Sequence, residues 1–354
     1  MEAVNPSSLR PWREEYEALQ AFVQAHETIR VTPTSLRIPK ELREEFYARI
    51  DRIEISLAEQ ILGERLKSTE ALAQKLAAVR NDIVENSNLR AYRLPATLEN
   101  LIRQPAQAAA RPILGLVLDA LQTGLAPAEL EDRASQLLFP FLQDMSRAAY
   151  ETWAYLTILR AWRPKTFYGI VTQDTIRLTF SETDQVILGY QVTHPERRLP
   201  DQIFETQDGR VLAVKLEVGL ELDYYGEKVS REKGYSANGN TADEIAHRVL
   251  LAYEFPSVQS VDALADGGRS FVRPVGLMCT FLLPREMENE YLASTFAQHL
   301  RSVRSLRPVQ LLTFDETGAF PTALAEDRTI PKFERTAVAY DSQKLENIAS
   351  KLYL

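Results

Sequence analysis

The chain has 354 residues, 45% hydrophobic and 25% charged, an ordinary globular composition with room for two domains at roughly 150 residues each. A net charge of -8 excludes a protein that coats nucleic acid through bulk positive charge, though not one with a local basic strip. A single cysteine, Cys279, rules out an internal disulfide, and no apolar run nears the roughly 20 residues that span a bilayer.

Met1-Glu2-Ala3-Val4-Asn5-Pro6 lacks the basic and apolar regions of a secretion signal, so the cytoplasm is the expected location. Residues 11–29 and about 40–90 are rich in Glu, Ala, Leu, Arg and Gln, which favour helix. Ile50, Ile53, Leu57 and Ile61 step by three, four and four, and Leu72, Leu76, Val79 and Ile83 by four, three and four. Gly63 and Ser68-Thr69 fall between these stripes, with Ser68 or Thr69 suited to cap the second helix. The expectation is a long helical hairpin, or one long helix with a kink. Each stripe is too short to demand a coiled coil, so it reads as internal core, with contact to a second copy as the alternative.

Further helices are expected over 107–124 and 127–162, the latter interrupted around Phe139-Pro140-Phe141. From Phe167 the period changes. Thr175 to Phe180 alternates, residues 185–192 are rich in strand formers, and the turn-forming Ser181 to Asp184 lies between them. Strands follow at Gln202 to Phe204 and from Arg210 to about Leu222, joined by a turn at Gln207-Asp208-Gly209. Thr241-Ala-Asp-Glu244 has the form of a capping box opening a helix that runs to about Tyr253. A core strand at 271–283, a helix at 286–304, a strand at Val309 to Phe314 and a helix at 341–353 complete the chain. The fold class is therefore α+β, a helical half followed by a mixed sheet flanked by helices. The division is set at 1–144 and 145–354.

Four histidines, His26, His194, His247 and His299, lie far apart with no ligand spacing, which argues against a dedicated zinc site. No phosphate-loop motif GxxxxGK[ST] occurs, so a nucleotide-driven step would need a partner ATPase. One constellation does carry chemistry. Leu199-Pro200-Asp201 precedes the Asp208-Gly209 turn, and Val211-Leu-Ala213-Val-Lys215-Leu-Glu217 follows it. Upstream lies Tyr150-Glu151-Thr-Trp153 in a helical stretch.

Over about residues 145–285 this order resembles the PD-(D/E)xK nucleases, in particular the nuclease domain of the McrC subunit of modification-dependent restriction systems. The resemblance implies a restriction-endonuclease-like sheet and DNA cleavage with Mg²⁺ or Mn²⁺. Asp201 and Glu151 would be metal ligands, Lys215 would stand beside the attacking water, and the helical half would contact DNA, a partner ATPase or a second copy. The departure is Ala213, which stands where the family has an acid two residues before the lysine. Three readings stay open: an enzyme inactivated by replacement of its acid, a naturally degenerate subunit that binds nucleic acid or scaffolds an assembly, or an acid moved to Glu217. Lys228, Arg231 and Lys233 form the most basic loop after the motif, a candidate nucleic-acid contact against the plainer reading of a solvated loop.

Overall fold

The computed structural model describes residues 12–173, 178–188, 200–218, 248–264, 273–281, 305–314 and 332–353. The chain divides into two units, Met1–Ala78 with Pro95–Tyr150, and Val79–Leu94 with Glu151–Leu354. Together they form an α+β protein whose helical first half precedes a mixed eight-stranded sheet flanked by helices.

The first unit starts with α1 (Trp12–Ala25), whose Trp12, Tyr16, Leu19 and Phe22 are buried on one stripe. A small antiparallel hairpin, β1 (Arg30–Thr32) and β2 (Ser35–Arg37), precedes α2 (Arg43–Leu62), which packs on α1. The helix then breaks at Gly63, whose φ of 48° lies in the region that glycine enters without strain. α3 (Glu64–Glu85) begins one residue later. Ser68 and Thr69 thus lie inside α3 rather than capping it, and their hydroxyls donate back to the Glu64 and Arg65 carbonyls. Ile50, Ile53, Leu57, Leu72, Leu76, Val79 and Ile83 are all buried within this chain and Ile61 is half-buried, so both apolar stripes serve its own core.

α4 (Ala96–Arg103), α5 (Pro105–Ala110) and α6 (Leu114–Thr123) lead to the long α7 (Pro127–Ala161). The expected interruption at Pro140 is absent. Leu130, Ala134, Leu138, Leu142, Met145 and Ala149 keep one buried stripe on both sides of it. Pro140 lies on the exposed side, where water can satisfy the carbonyl that its missing N–H leaves free.

In the second unit the sheet comprises β4 (Pro164–Gln173), β5 (Leu178–Glu182), β7 (Gln202–Thr206), β8 (Val211–Val218), β9 (Arg248–Phe255), β10 (Gly276–Phe281), β11 (Val309–Thr313) and β12 (Phe333–Ala337). Their order is β12-β11-β10-β9-β8-β7-β4-β5; β10, β11 and β12 run parallel and the other pairs antiparallel. Residues 248–253 are strand, not the helix expected there. Leu250, Leu251, Ala252 and Tyr253 are buried on alternating faces of a central strand, and a short continuous apolar run of that kind fits buried strand as well as helix. The supposed cap at Thr241 and the helix expected at 286–304 lie outside the described residues.

β3 (Ala91–Arg93) pairs in parallel with β6 (Gln185–Ile187), which draws the 79–94 stretch into this unit. Asn88 holds the junction with both ends of its carboxamide: Oδ1 accepts from the Phe167 N–H at 2.9 Å, and Nδ2 donates to the Thr183 carbonyl at 3.0 Å. One sheet face carries α8 (Ser342–Tyr353) and the end of α7. There Trp162 stacks on Phe204 and donates from Nε1 to the Ala349 carbonyl. Gly276 of β10 lets α8 approach closely, since a Cβ there would lie 2.5 Å from the Leu352 carbonyl oxygen. Gly276→Ala is expected to destabilise this unit by about 1–3 kcal/mol, read by denaturant unfolding. An unchanged midpoint would mean that α8 shifts freely.

Candidate functional site

The Asp208-Gly209 turn forms as its residues suggest. Gly209 takes a φ of 83°, Thr206 hydrogen-bonds the Asp208 carboxylate, and the Arg210 N–H donates to Thr206 Oγ1. This turn sets the register of β7 against β8, with Gln202 opposite Val214, Ile203 opposite Ala213 and Phe204 opposite Leu212. Opposed residues share a face, so the two faces of the hairpin differ in what they bury.

Ala213 lies on one face with Ile203, Val211, Leu251 and Tyr253, in an apolar cluster closed by Val258 and Val261 of the 3-10 turn after β9. Its exposure is 0%. The position at which the resemblance requires a metal ligand therefore holds a fully buried methyl group within a largely apolar cluster. A divalent ion needs several oxygen donors and a polar wall, and position 213 supplies neither. The residues present do not fit a metal there.

Asp201 is half-buried at the start of β7, and its N–H donates to the Val214 carbonyl at 2.9 Å. Carrying the register one residue further makes Lys215 its cross-strand neighbour; Lys215 is half-buried and opposes Leu251 on the other side. The structure thus brings Asp201 and Lys215 to the same end of the hairpin. Glu151 is buried on α7 one helical turn before Tyr155, and both belong to the stripe that the helix turns inward. Tyr155 sits with Gln202, on the sheet face opposite to Ala213. Glu217 occupies β8 opposite Val249, while Lys228, Arg231 and Lys233 lie outside the described residues. Among the described residues, no three His, Cys, Asp or Glu side chains gather as a metal site.

Beside Asp201 lies a buried polar cluster that sequence reasoning missed. Tyr92 of β3, Tyr155 of α7 and Gln202 of β7 are each at most 4% exposed. Gln202 donates from Nε2 to the Tyr92 hydroxyl. Among the described residues the Tyr155 hydroxyl leans on that of Tyr92 without a well-formed bond, and Gln202 Oε1 finds no donor. Burial, first, and the nearby Asp201 charge hold both phenols above their ordinary range, so they remain neutral hydrogen-bonding groups. Tyr92→Phe should cost about 1–3 kcal/mol by stranding the Gln202 amide, whereas Tyr155→Phe should be neutral or stabilising because it removes an ill-satisfied hydroxyl. Parallel urea titrations of the two variants test this; equal losses would mean that Tyr155 is bonded after all. Comparison of the chain with protein-family models, curated proteins and solved structures finds no match to any of them.

Proposed function

We propose that the second unit is a nuclease-like fold without hydrolytic activity, serving as a nucleic-acid-binding subunit. The observation that carries this reading is the enclosure of Ala213. A site that had merely lost its acid would leave an open polar wall, but position 213 belongs to a closed apolar cluster. The order Asp201, tight turn, apolar strand, Lys215 supports the nuclease-like ancestry of the hairpin. Any step driven by nucleotide hydrolysis would come from a partner ATPase, and the helical half is the candidate surface for such a partner.

The test is binding and cleavage measured side by side on the full chain. Salt-dependent binding of DNA or RNA is expected, with no cleavage in Mg²⁺ or Mn²⁺. Metal-dependent cleavage abolished by Lys215→Ala would restore the endonuclease reading. Absence of binding to single- or double-stranded DNA and RNA would remove the nucleic-acid role.

A further inference from the structure

α7 ends at Ala161, and Arg163 two residues later takes a φ of 51°. This is the left-handed position that closes many helices, where glycine or asparagine is the usual occupant because a Cβ is strained there. The backbone is nevertheless held. The Arg163 N–H donates to the Arg160 carbonyl at 2.9 Å, and the Arg163 carbonyl accepts from the Gln207 N–H at 3.0 Å.

Arg163 lines a cleft of about 560 Å³ within the second unit, bounded by the end of α3, the end of α7, the β7–β8 turn and one stripe of α8. That size suits a small polar ligand. The second arginine in the cleft, Arg160, is consumed by Glu346 at 2.7 Å and Asp82 at 3.6 Å. Arg163 is exposed and, among the described residues, its guanidinium has no partner. Around it stand Gln207, Gln343 and Asn347, whose carboxamides are likewise without intramolecular partners among the described residues. Among the described residues no aromatic side chain lines the cleft, so these offer no platform on which a base could stack. One free guanidinium ringed by carboxamides is instead the donor set used for phosphate and sugar oxygens.

We propose that this cleft binds a sugar phosphate, with the phosphate on Arg163 and the sugar oxygens on Gln207, Gln343 and Asn347. The proposal rests on the nucleic-acid reading above and gives it a location. The phosphate could belong to the end of a strand or to a free nucleotide, which the experiment separates.

Fluorescence anisotropy on the full chain would use a labelled single-stranded 12-mer with and without a 5′-phosphate, and a nucleoside 5′-monophosphate as competitor. Arg163→Gly and Arg163→Asn keep the left-handed turn and remove the charge, so both should melt at or above the wild-type temperature. The expected result is at least tenfold weaker binding in both variants and about threefold or more in Asn347→Ala. A preference for the phosphorylated strand identifies a strand end, and full competition by the monophosphate identifies a free nucleotide. Unchanged affinity in Arg163→Gly and Arg163→Asn overturns the cleft and leaves the nucleic-acid role intact. A wild-type protein that binds none of these probes, nor longer DNA or RNA, overturns both.

Discussion

Ala213→Asp is expected to lower the stability of the second unit by about 3 kcal/mol or more and to bring no metal-dependent nicking with it. Position 213 faces Ile203, Leu251 and Tyr253 in a cluster from which solvent is excluded. A carboxylate there enters a layer that is hydrocarbon apart from the Tyr253 hydroxyl and the Cys279 thiol. It must therefore stay protonated at neutral pH or force the layer between β8 and the Val258–Leu264 turn apart. Ala213→Val provides the control, since it adds comparable bulk without polarity and should cost about 1–3 kcal/mol. Denaturant unfolding followed by tryptophan fluorescence, with plasmid nicking on the same samples, reads both effects. An aspartate variant that keeps its midpoint and nicks DNA with Mg²⁺ would show a chain one side chain away from being an enzyme, and the binding-subunit reading would fall.

Glu54→Gln should raise the stability of the helical unit by about 3 kcal/mol at pH 7 and by almost nothing near pH 4. Glu54 lies on α2, 5% exposed, next to the fully buried Ile53 and Leu57 in that core, and its Oε1 has no hydrogen-bond partner among the described residues. Burial, aided by the charge of Asp51, pushes its carboxyl up to about 8. The folded state thus keeps a proton that the unfolded state releases above its ordinary carboxylate range. The resulting stabilisation is complete below about 4.5 and is lost as pH rises towards about 8. Glutamine mimics the protonated acid and does not titrate, so its variant should show a flatter profile. Urea unfolding at pH 4, 5.5, 7 and 8.5 tests the slope; parallel curves for the two proteins would mean that Glu54 is ionised in the fold.

Features with local chemistry were legible in the sequence. Asp208-Gly209 announces a hairpin because only a few residues tolerate its turn, and the observed register follows from it. The strand expected at Val309 to Phe314 and the helix expected at 341–353 form as Val309–Thr313 and Ser342–Tyr353. Where two mechanisms compete, the reading failed. Ser68 and Thr69 can cap a helix or bond back within one, and Gly63 five residues earlier decided the matter. Pro140 breaks a helix only if packing does not carry it through, and packing is a property of the folded chain. The hairpin of the candidate site could be found from spacing, but not the cluster that buries Ala213 with residues as far along the chain as Val258, Val261 and Val309. Tyr92, Tyr155 and Gln202 come from three distant segments, and no local pattern marks their meeting. Nor does anything around Arg163 announce a left-handed backbone, since arginine is an unusual choice there.

The pairing of β3 with β6 also dictates an order of events during synthesis. Residues 79–94 leave the ribosome well before their strand partner at Gln185–Ile187 and before Phe167 and Thr183, to which Asn88 is bonded. Until those residues emerge, Tyr92 and its neighbours have nothing to pair with, while the helical unit cannot close before its last segment, Pro95–Tyr150, is made. Neither unit is a continuous stretch of chain: the helical unit can close once Tyr150 has emerged, whereas Val79–Leu94 must wait for Glu151 onward. Each nascent chain passes through a stage in which an unpaired strand edge is exposed, the stage most open to misassociation.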